Sequence, residues 1–123
     1  ALIISDRAGV EVVKESRLIM ERDLGVLTGK PVDHICKYAD GTFEVDDFTY
    51  FLKARGAEEI PSCYKRAKKF LSKLSGYDSD SIVVVAHGGI GQMIRAVYNG
   101  WSWKKGLKFS HLENGEAMLL GGS

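Results

Sequence analysis

The run Ser81-Ile82-Val83-Val84-Val85-Ala86-His87-Gly88-Gly89 carries five apolar residues straight into a histidine and two glycines. At the carboxyl end of a central strand, beside the amides that open the next helix, a histidine stands where α/β folds bind anionic ligands. Glycine at such a turn lets a phosphate approach the backbone closely. By position alone the alternative is equally good: histidines at strand ends are often hydrogen-bonded structural residues. A second chemical feature is Glu21-Arg22-Asp23-Leu24-Gly25, a dense charge cluster after the apolar Leu18, Ile19 and Met20. A carboxyl group there can do acid–base work. The plainer reading is a solvated turn, since exposed ion pairs are common and carry little meaning. A metal site from His34, Cys36, Cys63, His87 and His111 lacks any ligand pair at the usual close spacing, so no metal is expected.

These residues need elements to position them. Ala1 to Gly9 reads as the last turns of a helix closed by glycine, with no N-cap before it. Val10 to Val13 is rich in β-branched residues and reads as a short strand. Pro31 opens a short helix through Cys36, and Asp40-Gly41 reads as a turn. Val45 to Ala54 places Phe48, Phe51 and Leu52 at helical spacing, with Gly56 as its stop. From Pro61, Cys63, Ala67, Phe70, Leu71 and Leu74 form one apolar stripe, with Lys65, Arg66, Lys68, Lys69 and Lys73 mostly on the wet side. Ile82 to Ala86, apolar on both faces, reads as a buried parallel strand. Ile90 to Tyr98 returns at helical periodicity, Trp101 to Asn114 reads as mixed loop, and Glu116 to Leu120 as a last short strand.

The bulk composition supports one small packed domain. The chain has 123 residues, 45% of them apolar and 10% aromatic. Seventeen basic against sixteen acidic side chains leave a net charge of +1, which excludes a whole-molecule field for nucleic acid or anionic membrane. The apolar stretches are too short to span a bilayer, and the first residues lack the layout of a secretion signal, so a cytoplasmic protein is expected. Cys36 and Cys63 lie in separate segments without C-x-x-C spacing, as reduced thiols do.

Taken together, the chain resembles the histidine phosphatase superfamily, which includes phosphoglycerate mutases and broad small-molecule phosphatases. The resemblance rests on Ala1 to Val13, similar to the helix and strand after an R-A-x-x-T-A motif; on Glu21 to Gly29, similar to an E-x-x-x-G-x-x-x-G turn; on Ser81 to Ala96; and on Leu112-Glu113-Asn114-Gly115. The helix around Tyr64 and Arg66 also fits the family's pattern. The resemblance implies that His87 matches the second histidine, which hydrogen-bonds the transferring phosphoryl oxygens. It implies that Glu21 matches the carboxylate that protonates the leaving oxygen, with Arg22 and Gly88 as substrate-binding neighbours. The family's first histidine, the phosphoryl acceptor in an R-H-G motif, has no counterpart here, nor have the two arginines that clamp the phosphoryl group.

The expectation is therefore an α/β, three-layer α/β/α domain with a mostly parallel sheet, incomplete because the R-H-G strand is absent. Residues 1–120 are the C-terminal part of that domain, and 121–123 a flexible tail or linker. Complete, it would be a phosphoric-monoester phosphatase acting on a small phosphorylated metabolite through a phosphohistidine, with no cofactor. Glu21 and His87 are 66 positions apart, a spacing shorter than mutases of the family usually have. Lys37, Tyr38, Phe43, Tyr50 and Lys53 stand as candidates for lining a substrate pocket. Phosphoglycerate-mutase activity is one alternative, and a non-catalytic phosphate- or partner-binding module the other. The expected partners are the substrate and the missing N-terminal segment of the domain; homodimerisation stays open.

Overall fold

The computed structural model describes residues 2–11, 14–109 and 112–121. Helix α1 (Leu2–Ala8) stops at Gly9, whose φ of 66° is the left-handed conformation that glycine adopts without a Cβ clash. Two 3₁₀ turns, Arg17–Ile19 and Gly25–Leu27, flank the charged cluster at 21–23. A third, Val32–His34, runs into the single-turn helix α2 (Ile35–Tyr38). Strands β1 (Ala39–Val45) and β2 (Phe48–Ala54) form an antiparallel hairpin, paired from Ala39↔Ala54 to Val45↔Phe48. Helices α3 (Ile60–Leu74), α4 (Gly88–Tyr98) and α5 (Trp103–Phe109) follow.

The core is built by the last three helices. Ile60, Cys63, Ala67 and Phe70 recur at helical spacing on one side of α3 and meet Ile90, Met93 and Ile94 of α4 and Leu107 of α5. Ile90 and Met93 are fully buried, each contributing about 1.5–3 kcal/mol of hydrophobic stabilisation. Pro61 starts α3, where a missing N–H costs nothing. Gly106 brings α5 close to α4: a Cβ there would lie 2.6 Å from the Ala96 Cβ. The hairpin docks on this core through Phe43, which meets Trp103 edge-on with ring centroids 6.1 Å apart, and through Tyr50.

Several sequence expectations give way. The Val45 to Ala54 stretch is strand rather than helix: Phe48, Phe51 and Leu52 satisfy a helical spacing, but Asp46-Asp47 makes a two-residue hairpin connection. Asp46 adopts φ 51°, one of the few non-glycine residues that tolerate it. Asp40 and Gly41 accordingly lie inside β1, not in a turn. Trp103–Phe109 is helix where a loop is expected, and the Ser102 hydroxyl accepts from the Lys105 amide at 3.2 Å as its cap.

Among the described residues the only sheet is this antiparallel pair, so the chain is α/β without a visible parallel sheet. Ile82–Ala86 belongs to no strand, and Val83 is 74% exposed. A segment apolar on both faces becomes a central strand only when partners flank it, and no described strand does so. Residues 116–120 and Val10-Glu11 are likewise outside any strand, while Val12 and Val13 fall outside the described residues.

Candidate active site

Helix α4 begins at His87, whose backbone is extended (φ −74°, ψ 159°) and whose side chain makes no capping bond. The first amides of a helix have no partner within it. Here the cap comes from Glu21, 66 positions earlier. Its carboxyl oxygens accept from the Gly89 amide at 3.0 Å and the Ile90 amide at 3.1 Å, and its Oε1 also accepts from the Arg22 amide at 2.9 Å. A carboxylate at a helix N-terminus is favoured by the macrodipole, typically by about 0.3–1 kcal/mol. Glu21 and the His87-Gly88-Gly89 turn are thus brought together, and the contact depends on glycine. A Cβ on Gly89 would stand 2.6 Å from Glu21 Oε1, so any side chain there displaces the carboxyl group.

His87 and Gly88 are exposed beside it. Among the described residues neither the His87 imidazole nor the Gly88 amide has a hydrogen-bond partner. The turn can therefore offer an anion two donors, while the next two amides are committed to Glu21. His111 lies outside the described residues. Among the described residues no group of three His, Cys, Asp or Glu comes together as a metal site would require.

Arg22 plays a different part from the substrate contact that sequence reasoning gives it. Its Nε donates to the Glu58 carbonyl at 2.6 Å, and its Nη atoms donate to the carbonyls of Phe51 and Leu52 at 2.9 and 3.2 Å. The guanidinium also lies 3.6 Å from the Phe51 ring centroid. Burial pulls its pKa down, against the opposing pull of Cys63, Glu58 and Glu21. It pins the 21–25 turn to β2. Gly25 permits the same approach from the other side: at φ 53° it lies so close to the Arg55–Ala57 backbone that a Cβ would overlap it. The Val26 and Glu58 amides bridge that seam, to Arg55 and Asp23 carbonyls, each at 2.9 Å.

Beneath Glu21 lies a cavity of about 50 Å³ lined by Arg22, Tyr50, Cys63, Gly89, Gln92 and their apolar neighbours. It has room for water, not for a substrate. The Cys63 thiol in its wall is no nucleophile: burial, then its bond to Glu58 at 3.1 Å, push it up to about 12. A larger groove, about 420 Å³, lies over Leu18, Lys65, Arg66, Lys68, Lys69 and Ser72 and includes neither Glu21 nor His87. It is an open hollow on the lysine face of α3. Of the residues expected to line a pocket, Tyr50 lines the small cavity and accepts from Gln92 at 3.3 Å, Phe43 packs against the core, and Lys53 pairs with Glu59 on the surface. They do not converge.

Sequence reasoning named Gly89 in the histidine turn but missed that Glu21 rests on it, and it missed Glu58 and the engagement of Arg66. Arg66 sends Nε and Nη2 to the Glu58 carboxylate at 2.8 and 2.7 Å and Nη1 to the carbonyls of Leu18 and Met20 at 2.8 and 3.0 Å. Nothing in local spacing reveals contacts between residues 46 or 48 positions apart. Compared with known families, the chain matches the model of the histidine phosphatase superfamily (branch 1) over residues 1–121. No curated protein and no solved structure matches it.

Proposed function

The chain belongs to the histidine phosphatase superfamily, and on that premise we propose that it carries the acid and second-histidine side of a phosphoric-monoester phosphatase site. The substrate is a small phosphorylated metabolite, the intermediate a phosphohistidine, and no cofactor is involved. What supports the reading is the joining of Glu21 to the His87-Gly88-Gly89 turn across 66 positions. The His87 imidazole and the Gly88 amide would hold the phosphoryl oxygens as charge develops on them. A histidine nitrogen forms the P–N bond as the ester P–O bond breaks, and Glu21 gives its proton to the leaving oxygen. Water then cleaves the phosphohistidine to inorganic phosphate.

The three histidines of the sequence are His34, His87 and His111, none preceded by arginine and followed by glycine. The accepting histidine with its neighbouring arginine, on a strand that pairs with Ile82–Ala86, and the second arginine, in an R-A-x-x-T-A motif, are therefore proposed to come from outside these residues. That pairing would produce the three-layer α/β/α domain over residues 1–120, with 121–123 as its tail. A cytoplasmic location goes with this reading, and among the described residues no helix is long and apolar enough to cross a membrane. The Glu21-Arg22 pair is mutase-like in sequence, but the Arg22 guanidinium is spent on backbone carbonyls, and the mutase alternative loses that support. The binding-module alternative draws on the exposed Ile82–Val85 segment, which could accept a partner strand or a second copy of the chain.

The test is intact mass and N-terminal sequence of the gene-encoded protein, followed by hydrolysis of an aryl phosphate by it and by His87→Ala. A product containing R-H-G should hydrolyse the ester, and His87→Ala should lower kcat by about 10²–10³-fold, the usual cost of removing one such donor. Undiminished hydrolysis by His87→Ala sinks the assignment of His87. A product without R-H-G that hydrolyses nothing leaves the binding module as the function.

A further inference from the structure

Glu21 is held from both sides by arginines that meet at one residue. Before it, the carbonyls of Leu18 and Met20 are gripped by Nη1 of Arg66. After it, Arg22 reaches the Glu58 carbonyl. Glu58 joins this turn to α3: its amide donates to the Asp23 carbonyl at 2.9 Å, its carbonyl accepts from Arg22, and its carboxylate takes the two parallel bonds of Arg66 and a third from the Cys63 thiol. Arg66 is equally committed. Nε and Nη2 serve Glu58, Nη1 serves two carbonyls, and Nη2 also approaches the Cys63 sulfur at 3.7 Å. A planar five-donor fork fills every one of these places, and it leaves none for a substrate phosphate.

We propose that Arg66 and Glu58 are positioning residues that seat the Glu21 carboxyl group on the Gly89 and Ile90 amides, so that α3 sets where the proton of the leaving group comes from. This rests on the reading of Glu21 as proton donor. The chain of contacts is continuous: the Arg66 fork fixes the Met20 carbonyl, the next peptide carries Glu21, and Glu21 meets α4. Loosening the fork lets the 18–23 turn drift, and a drift of about 1 Å at an acid costs on the order of 10²-fold in rate.

The experiment is amide hydrogen exchange on the full chain, comparing the native protein with Arg66→Ala, Arg66→Lys and the surface control Lys69→Ala. Arg66→Ala should speed exchange at Gly89 and Ile90 by at least about fivefold, the loss of one net hydrogen bond, while Met93 and Ile94 in the body of α4 stay protected. Arg66→Lys keeps the charge but not the fork and should behave like Arg66→Ala; it also carries the test if the alanine variant fails to fold. Lys69→Ala should change nothing. Unchanged exchange at Gly89 and Ile90 overturns the proposal, and so does a uniform rise along α4, which would mark Arg66 as a general fold residue. In the gene-encoded enzyme, Glu21→Gln should slow alkyl phosphates, which need a proton on the leaving oxygen, far more than p-nitrophenyl phosphate. If it slows neither, the proton-donor reading fails and this proposal with it, by a result separate from the exchange data.

Discussion

The Glu58 carboxyl titrates below its usual range, chiefly because Arg66 donates to both its oxygens, with burial opposing. A carboxylate held lower in the folded than in the unfolded state adds stability above its unfolded pKa, about 4.3, and that stability is lost as pH falls through the folded value. Thermal midpoints measured from pH 7 downward should therefore fall more steeply below about pH 4.3 in the native protein than in Glu58→Gln. At pH 7 the variant should be the less stable of the two by about 1–3 kcal/mol, because hydrogen bonds to charged groups are lost. Parallel acid limbs in the two proteins would remove Glu58 from the account of acid sensitivity. At this scale Glu21, His87 and Gly88 were visible in the sequence as a pattern. The part played by Gly89 was not, since it matters only because a carboxyl group from residue 21 rests on its Cα, a fact of packing.

Helices α4 and α5 touch where Gly106 faces Ala96, and that contact sets how near α5 lies to the element that carries the site. Replacing a helical glycine by alanine ordinarily gains about 1 kcal/mol. Here the new methyl would sit 2.6 Å from the Ala96 Cβ and 3.3 Å from the Met93 Cε. Gly106→Ala should instead cost about 1–3 kcal/mol in urea denaturation. Ala96→Gly, which alone costs about 1 kcal/mol of helix propensity, should cost less in the Gly106→Ala background than in the native protein; equal costs in the two backgrounds would mean the clash lies elsewhere. Both α3 and α4 were legible because apolar residues recur every third or fourth position between clear stops such as Pro61 and Asn99-Gly100. The hairpin was misread because its nearly all-apolar β2 fits either period, and the Asp46-Asp47 turn decided it. Helix α5 was missed although Ser102 and the Trp103–Leu107 spacing announced it.

At the scale of the whole molecule, Ile82–Val85 puts four consecutive β-branched residues on the surface, all of them exposed. Such a segment is a template for association. Val83→Lys should lower self-association in sedimentation or light scattering while leaving the helical circular dichroism unchanged; equal association in both proteins would show that another surface, such as Leu119, is responsible. The reading of this run as a buried parallel strand is not met, because strand formation needs neighbours and one segment's residues cannot supply them. Elsewhere the Phe43–Trp103 contact ties the hairpin to the helical core, and the other tryptophan, Trp101, lends its carbonyl to the Tyr64 hydroxyl at 2.7 Å. The Trp103 indole thus faces the hairpin, while the Trp101 indole meets Phe109 of α5 edge-on with centroids 6.3 Å apart. In Trp101→Phe the remaining Trp103 fluorescence would time the release of the hairpin, and far-ultraviolet ellipticity the melting of the helices. Coincident curves would make hairpin and helices one cooperative unit, while an earlier optical transition would identify the hairpin as a subdomain that detaches first.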